Sequence, residues 1–95
     1  MKYFVSRHPG AIAWAKREGL GIDEFVAHFD PSVVQPGDVV MGSLPMHIAA
    51  AVCAKGAKFL ALTINTPAEL RGKELTADDM DKISCVLQEF YVEAR

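Results

Sequence analysis

The sequence predicts an α/β fold, a small three-layer domain with a mainly parallel four-stranded sheet and the element order β-α-β-β-α-β-α. Three observations point there. Short runs rich in β-branched and aromatic residues occur at 2–6, 24–29, 38–41 and 58–64. Two of the intervals between them carry helix-forming stretches with proline at the start and glycine at the end, so the chain holds two strand–helix–strand units. The third is size: 95 residues, 51% of them apolar, make one core and leave no room for a second domain.

Each element has its own signal. Lys2–Ser6 reads as strand one. Pro9 then opens a helix to about Glu18, with Ile12, Trp14 and Ala15 inward, Lys16 and Arg17 at its negative end and Gly19 closing it. Strand two is Glu24–Phe29, and Asp30–Gly37, with two prolines, is a connector. Strand three is Asp38–Met41, ending at Gly42-Ser43. A second helix runs from Leu44-Pro45 to Lys55, just before Gly56. Ala49, Ala50, Ala51 and Ala54 make it almost wholly apolar, which suits a deep core position or a close subunit contact. Strand four is Lys58–Ile64. Asn65–Leu75 shows no periodicity, and loops this long in small domains are often functional. A last helix opens at Thr76, a good N-cap, with Asp78, Asp79 and Asp81 in its first turn and Met80, Ile83, Leu87 and Phe90 as its apolar stripe.

Each strand–helix–strand unit should be a right-handed parallel crossover. With strands one and three as central neighbours, the strand order is 2-1-3-4. The connector must then return along the sheet. Its eight residues reach at most ~26–29 Å, and the diagonal across two strand spacings is about 20 Å. An antiparallel strand three is the alternative.

Composition excludes whole classes. No apolar run approaches a membrane span, and Met1-Lys2-Tyr3 leads straight into a strand rather than a signal peptide. Cys53 and Cys85 have no metal-ligand spacing, so a reduced, cytoplasmic protein is expected. The net charge of −2 hides alternating blocks: +3 over 1–22, −4 over 23–54, +2 over 55–75 and −3 over 76–95. An isoelectric point near 5.8 argues against tracking long nucleic acid. A small anion held by a few local cations remains open.

In the 2-1-3-4 order, strands one and three end side by side at the switch point, where open α/β sheets bind ligands. Strand one delivers Ser6-Arg7-His8 and strand three delivers Gly42-Ser43-Leu44-Pro45, each followed by a helix N-terminus with free backbone donors. Arg7 is suited to bidentate phosphate binding. The long loop after strand four opens on the same edge and brings Asn65, Arg71 and Lys73, so both net-positive segments reach one rim.

Plainer readings stand beside these. Ser6 and His8 could simply cap the first helix, and Arg71, between Glu69 and Glu74, could be a surface ion pair. His28 reads better as a packed or edge histidine than as a catalyst, while His47 lies in the first turn of helix two, near the crevice. Trp14 and Phe4 read as core. The histidines and cysteines match no zinc pattern, no paired acids project from strand ends, and neither a Walker loop nor a glycine-rich dinucleotide fingerprint is present. No metal or cofactor is therefore expected. The Arg-His pair weakly resembles that of histidine phosphatases, but Pro9 stands where their motif has glycine and the chain is about half the size that fold needs.

A longer resemblance covers nearly the whole chain. The stretches at 3–15 (Tyr-Phe-Val-Ser-Arg-His-Pro-Gly-Ala-Ile-Ala-Trp-Ala), 35–45 (Gln-Pro-Gly-Asp-Val-Val-Met-Gly-Ser-Leu-Pro) and 67–80 (Pro-Ala-Glu-Leu-Arg-Gly-Lys-Glu-Leu-Thr-Ala-Asp-Asp-Met) resemble the signature stretches of a small accessory family encoded beside type III CRISPR systems. The resemblance implies a stand-alone Rossmann-like, CARF-like homodimer. It implies a ring nuclease that cleaves cyclic tetra-adenylate and so switches off the effectors this messenger activates. On that reading Ser6, Arg7, His8 and Arg71 are the candidate catalytic residues, and Gly42, Ser43, Leu44, Pro45, Asn65 and Lys73 bind the ligand. The competing expectation is a cyclic oligoadenylate sponge or sensor without turnover.

Overall fold

A computed structural model of the chain describes residues 1–63, 75–82 and 85–95, with the backbone alone at 81 and 82. Five strands form one sheet in the order β2-β1-β3-β4-β5. They are β1 (Lys2–Val5), β2 (Glu24–Val26), β3 (Val39–Gly42), β4 (Lys58–Thr63) and β5 (Val86–Phe90), with helices α1 (Pro9–Arg17), α2 (Met46–Ala54) and α3 (Ala77–Lys82). A short 3-10 turn at Pro31–Val33 lies in the connector between β2 and β3.

β1 with β2 and β3 with β4 are parallel, as the two crossover units require, and β3 runs with β1 rather than against it, so the first four strands are all parallel. From β1 the chain moves outward to β2 on one side, and from β3 to β4 on the other. Two crossovers of the same hand therefore place α1 and α2 on opposite faces of the sheet. Side-chain alternation along the strands feeds both layers. Tyr3, Val5, Val40 and Phe59 pack with Ala49, Val52 and Cys53 of α2. Phe4 and Met41 pack with Ala11, Trp14 and Ala15 of α1 and with Ala77 and Met80 of α3.

The end of the chain departs from the sequence expectation. Instead of one helix from Thr76 to Phe90, a six-residue α3 is followed by β5, antiparallel to β4. Thr76 does cap α3: its hydroxyl accepts from the Asp79 amide and the Asp79 carboxylate accepts from the Thr76 amide, both at 3.1 Å. Met80 is buried under α1, as the apolar stripe required. Past residue 85 the helical stripe ends: Leu87 packs inward while Val86, Gln88 and Glu89 are exposed. Phe90 is an exposed strand end and not a core position. The physical reason is the β4 edge. A six-residue apolar strand left open would present unpaired amides and carbonyls, and β5 covers them from Phe59↔Phe90 to Thr63↔Val86. Ile83, also assigned to that stripe, lies outside the described residues.

Two contacts fix the frame around the future site. Gly10 in the first turn of α1 lies where a Cβ would run into the Leu75 carbonyl, so only glycine lets α1 approach the segment leading into α3. The Asp38 carboxylate, nearly buried before β3, takes the Met1 ammonium at 3.1 Å and the Gln35 amide at 2.9 Å, tying the start of β1 to the start of β3.

Candidate functional site

The site follows from the β1–β3 register. Val5 pairs with Gly42, so the two central strands end level with each other. Their exits, Ser6-Arg7-His8 and Ser43-Leu44-Pro45, line one cleft of ≈ 370 Å³ at the carboxyl edge of the sheet. The neighbouring exit from β2 supplies Ala27, His28 and Phe29, and Ile48 of α2 closes the apolar side. This is the crevice between diverging crossovers that the strand order anticipates.

Ser6 is nearly buried, and its hydroxyl accepts the His8 amide at 3.1 Å, which sets the turn into α1. His8 is the N-cap residue of α1, yet its side chain makes no capping bond. The capping reading is thus half right: Ser6 shapes the turn, and the His8 imidazole is left to the cleft. Arg7 is exposed at the same mouth and has no ion-pair partner among the described residues. Helix α1 opens on Pro9, with no acidic residue in its first turn to compete with an incoming anion.

On the β3 side, Gly42 is buried below the lining with φ at +113°. Its role in the geometry is steric, because the Val5 carbonyl fills the place of a Cβ. The Ser43 amide is already committed to that same carbonyl at 3.0 Å, so its exposed hydroxyl is what it offers to the cleft. Leu44 and Pro45 form the wall beneath the start of α2. Asn65, Arg71 and Lys73 lie outside the described residues.

The three histidines part company. His8 and His28 share the cleft. His47 faces a different groove of ≈ 600 Å³, between α2 and residues 91–94. His28, read from the sequence as a packed or edge histidine within strand two, is exposed and lines the cleft. Strand two was expected to reach Phe29, but β2 stops at Val26, and His28 stands free on the exit segment. No group of three or more potential metal ligands gathers among the described residues. None of their helices is long and apolar enough to cross a membrane.

The comparison with protein families decides the wider context. Residues 3–93 match the model of the family described as "Putative CRISPR-associated protein (Cas_VVA1548)". The chain belongs to this CRISPR-associated family. No curated protein matches it, and no solved structure matches it. The family match takes in all but the first residue of β1 and every later element, so the cleft of this CRISPR-associated chain lies wholly within the matched region.

Proposed function

We propose that the cleft binds cyclic tetra-adenylate and opens the ring by attack of a ribose 2′-hydroxyl on its adjacent phosphorus, ending type III CRISPR signalling. The observation that carries this reading is the convergence of Ser6, Arg7, His8 and Ser43 on one cleft at the carboxyl edge of a parallel sheet, in a chain of a CRISPR-associated family. Arg7 holds a non-bridging phosphate oxygen and offsets the charge that grows on it. His8 takes the proton of the 2′-hydroxyl, with Ser6 orienting the same oxygen. The bond from the 2′-oxygen to phosphorus forms, the bond to the 5′-oxygen breaks, and a linear product with a 2′,3′-cyclic phosphate results. Alignment of this kind supplies several kcal/mol of barrier lowering.

A cleft of ≈ 370 Å³ lies near the low end of the ~300–1,000 Å³ of small-molecule sites. That matches one nucleotide unit better than a ring of four. Two copies about a two-fold axis would give the ring equivalent clefts and twice the cations, which suits a tetra-anion on a chain of net charge −2.

The test incubates the protein with rings of three, four and six adenylates in EDTA and resolves the products by chromatography. Linear adenylates ending in a 2′,3′-cyclic phosphate are expected from the ring of four. Stoichiometric retention of an intact ring after many hours would leave a messenger sponge or sensor in place of the nuclease.

A further inference from the structure

We infer that His28 is the second acid–base group of this cleft, donating the proton that the departing 5′-oxygen needs. The inference rests on the ring-opening reading above and assigns the half of the reaction that His8 leaves open.

Placement comes first. β2 pairs with β1 in parallel, Val26 opposite Val5, so the exits of the two strands leave side by side. His28 is two residues beyond Val26 and His8 three beyond Val5. Both line the one cleft, together with Arg7 of the β1 exit. Neighbouring strands lie ~4.8 Å apart. Two imidazoles rooted one strand spacing apart can flank a single phosphate, each within ~3 Å of its own oxygen.

The segment that carries His28 is anchored. Phe29 is half-buried and sets its ring edge against Tyr3, with centroids 5.0 Å apart. Asp30 accepts the Ser32 amide at 2.9 Å and starts the 3-10 turn. Between a closed strand and an anchored ring, His28 is itself exposed and makes no hydrogen bond or ion pair among the described residues. Its imidazole is spent on nothing structural.

Chemistry supplies the need. In-line displacement puts the entering 2′-oxygen and the leaving 5′-oxygen on opposite sides of phosphorus, so one group cannot serve both at once. A 5′-alkoxide leaves poorly unless protonated. A guanidinium, the group that Arg7 brings to the lining, is no proton donor for this step. His8 and His28 are the imidazoles among the described lining residues, and imidazole is the side chain best suited to passing a proton in either direction. With His8 beside Ser6 on the entering side, the proton balance assigns His28 to the leaving side. His8 gains the 2′-proton, His28 loses one to the 5′-oxygen, and solvent restores both after release.

The experiment compares wild type, His28→Ala, His28→Gln and His8→Ala in single-turnover cleavage of cyclic tetra-adenylate. A second substrate carries sulfur in place of the bridging 5′-oxygen, a leaving group that needs no acid. Thermal midpoints confirm that each variant is folded. Loss of a general acid should slow His28→Ala and His28→Gln by about 100-fold or more on the natural ring, with ring affinity little changed. On the sulfur ring both should return to near wild-type rate, while His8→Ala stays slow on both. A His28→Ala protein that matches wild type on the natural ring overturns the inference and leaves the ring-opening reading standing. Equal slowing on both substrates also overturns it, by reducing His28 to a structural part. A wild-type protein that opens neither ring overturns the parent reading and this one together.

Discussion

The Val5 carbonyl occupies the space where a side chain on residue 42 would begin, and it also accepts the Ser43 amide. The tips of β1 and β3 can meet because residue 42 is glycine, with φ at +113°, where other residues are strained. Gly42→Ala is expected to cost at least ~1–3 kcal/mol from backbone strain, read as a lower urea midpoint. It should also spread the two exits and weaken ring binding. A variant of wild-type stability and affinity would show that this close approach is dispensable.

Arg7 is the exposed cation at the cleft mouth. Arg7→Ala should weaken binding of cyclic tetra-adenylate by titration calorimetry. A guanidinium fork loses geometry as well as charge on replacement, so Arg7→Lys should recover only part of the affinity. Lysine and arginine variants of equal affinity would reduce the contact to a point charge, subject to ordinary salt screening.

Much of this cleft was legible in the sequence. Two strand–helix–strand units with proline-opened helices favoured the order 2-1-3-4, against the alternative of an antiparallel strand three, and that order, found in the sheet, puts Ser6-Arg7-His8 beside Ser43-Leu44-Pro45. Two things escaped. The place of His28 in the cleft lining was hidden because Ala27 and Phe29 continue the apolar texture of Phe25-Val26, so His28 was read inside the strand, and only the sheet shows where pairing stops. β5 was hidden because Met80, Leu87 and Phe90 also satisfy helical spacing, and the demand that settles the matter, the open edge of β4, lies more than twenty residues upstream.

The strand assignment of residues 86–90 makes its own prediction. Leu87 is half-buried against the core cluster on the α1 face of the sheet, while its neighbour Val86 is exposed. Leu87→Ala should lower stability by about 1–2 kcal/mol, below the 2–5 of a fully buried leucine. Val86→Ala should stay within about 0.5 kcal/mol. Chemical denaturation of the two variants gives the comparison, and equal costs would argue against Leu87 as the inward residue of this strand.

Asp38 makes stability depend on acid. The Gln35 amide, and behind it the Met1 ammonium, hold its carboxyl below the usual carboxylate range, against the opposing pull of burial. A folded-state value below the unfolded one means that the contribution is complete above the unfolded value, near 3.9. It is lost as pH falls from there through the folded value. Asp30, lowered by the Ser32 amide, adds in the same window. Thermal midpoints from pH 7 to pH 2 should therefore fall as pH drops below about 4. Asp38→Asn should start lower at pH 7 and fall less, and a parallel shift of the whole curve would rule out the titration.

Cys53 ties the tail of the chain to α2. Its buried sulfur accepts the Val92 amide at 3.4 Å and donates to the Phe90 carbonyl at 3.9 Å. Thiol hydrogen bonds are weak, so the effect should be local rather than global. Cys53→Ala removes both partners at once and leaves the Val92 amide beside a methyl group. Hydrogen exchange should then speed at Val92, while amides in β1 and β3, which close the core, keep their protection. Cys53→Ser should slow Val92 exchange again, because a hydroxyl accepts more strongly, though burying it costs stability elsewhere. Unchanged exchange at Val92 in Cys53→Ala would mean that the tail is held by the β4–β5 ladder and Val92 packing alone.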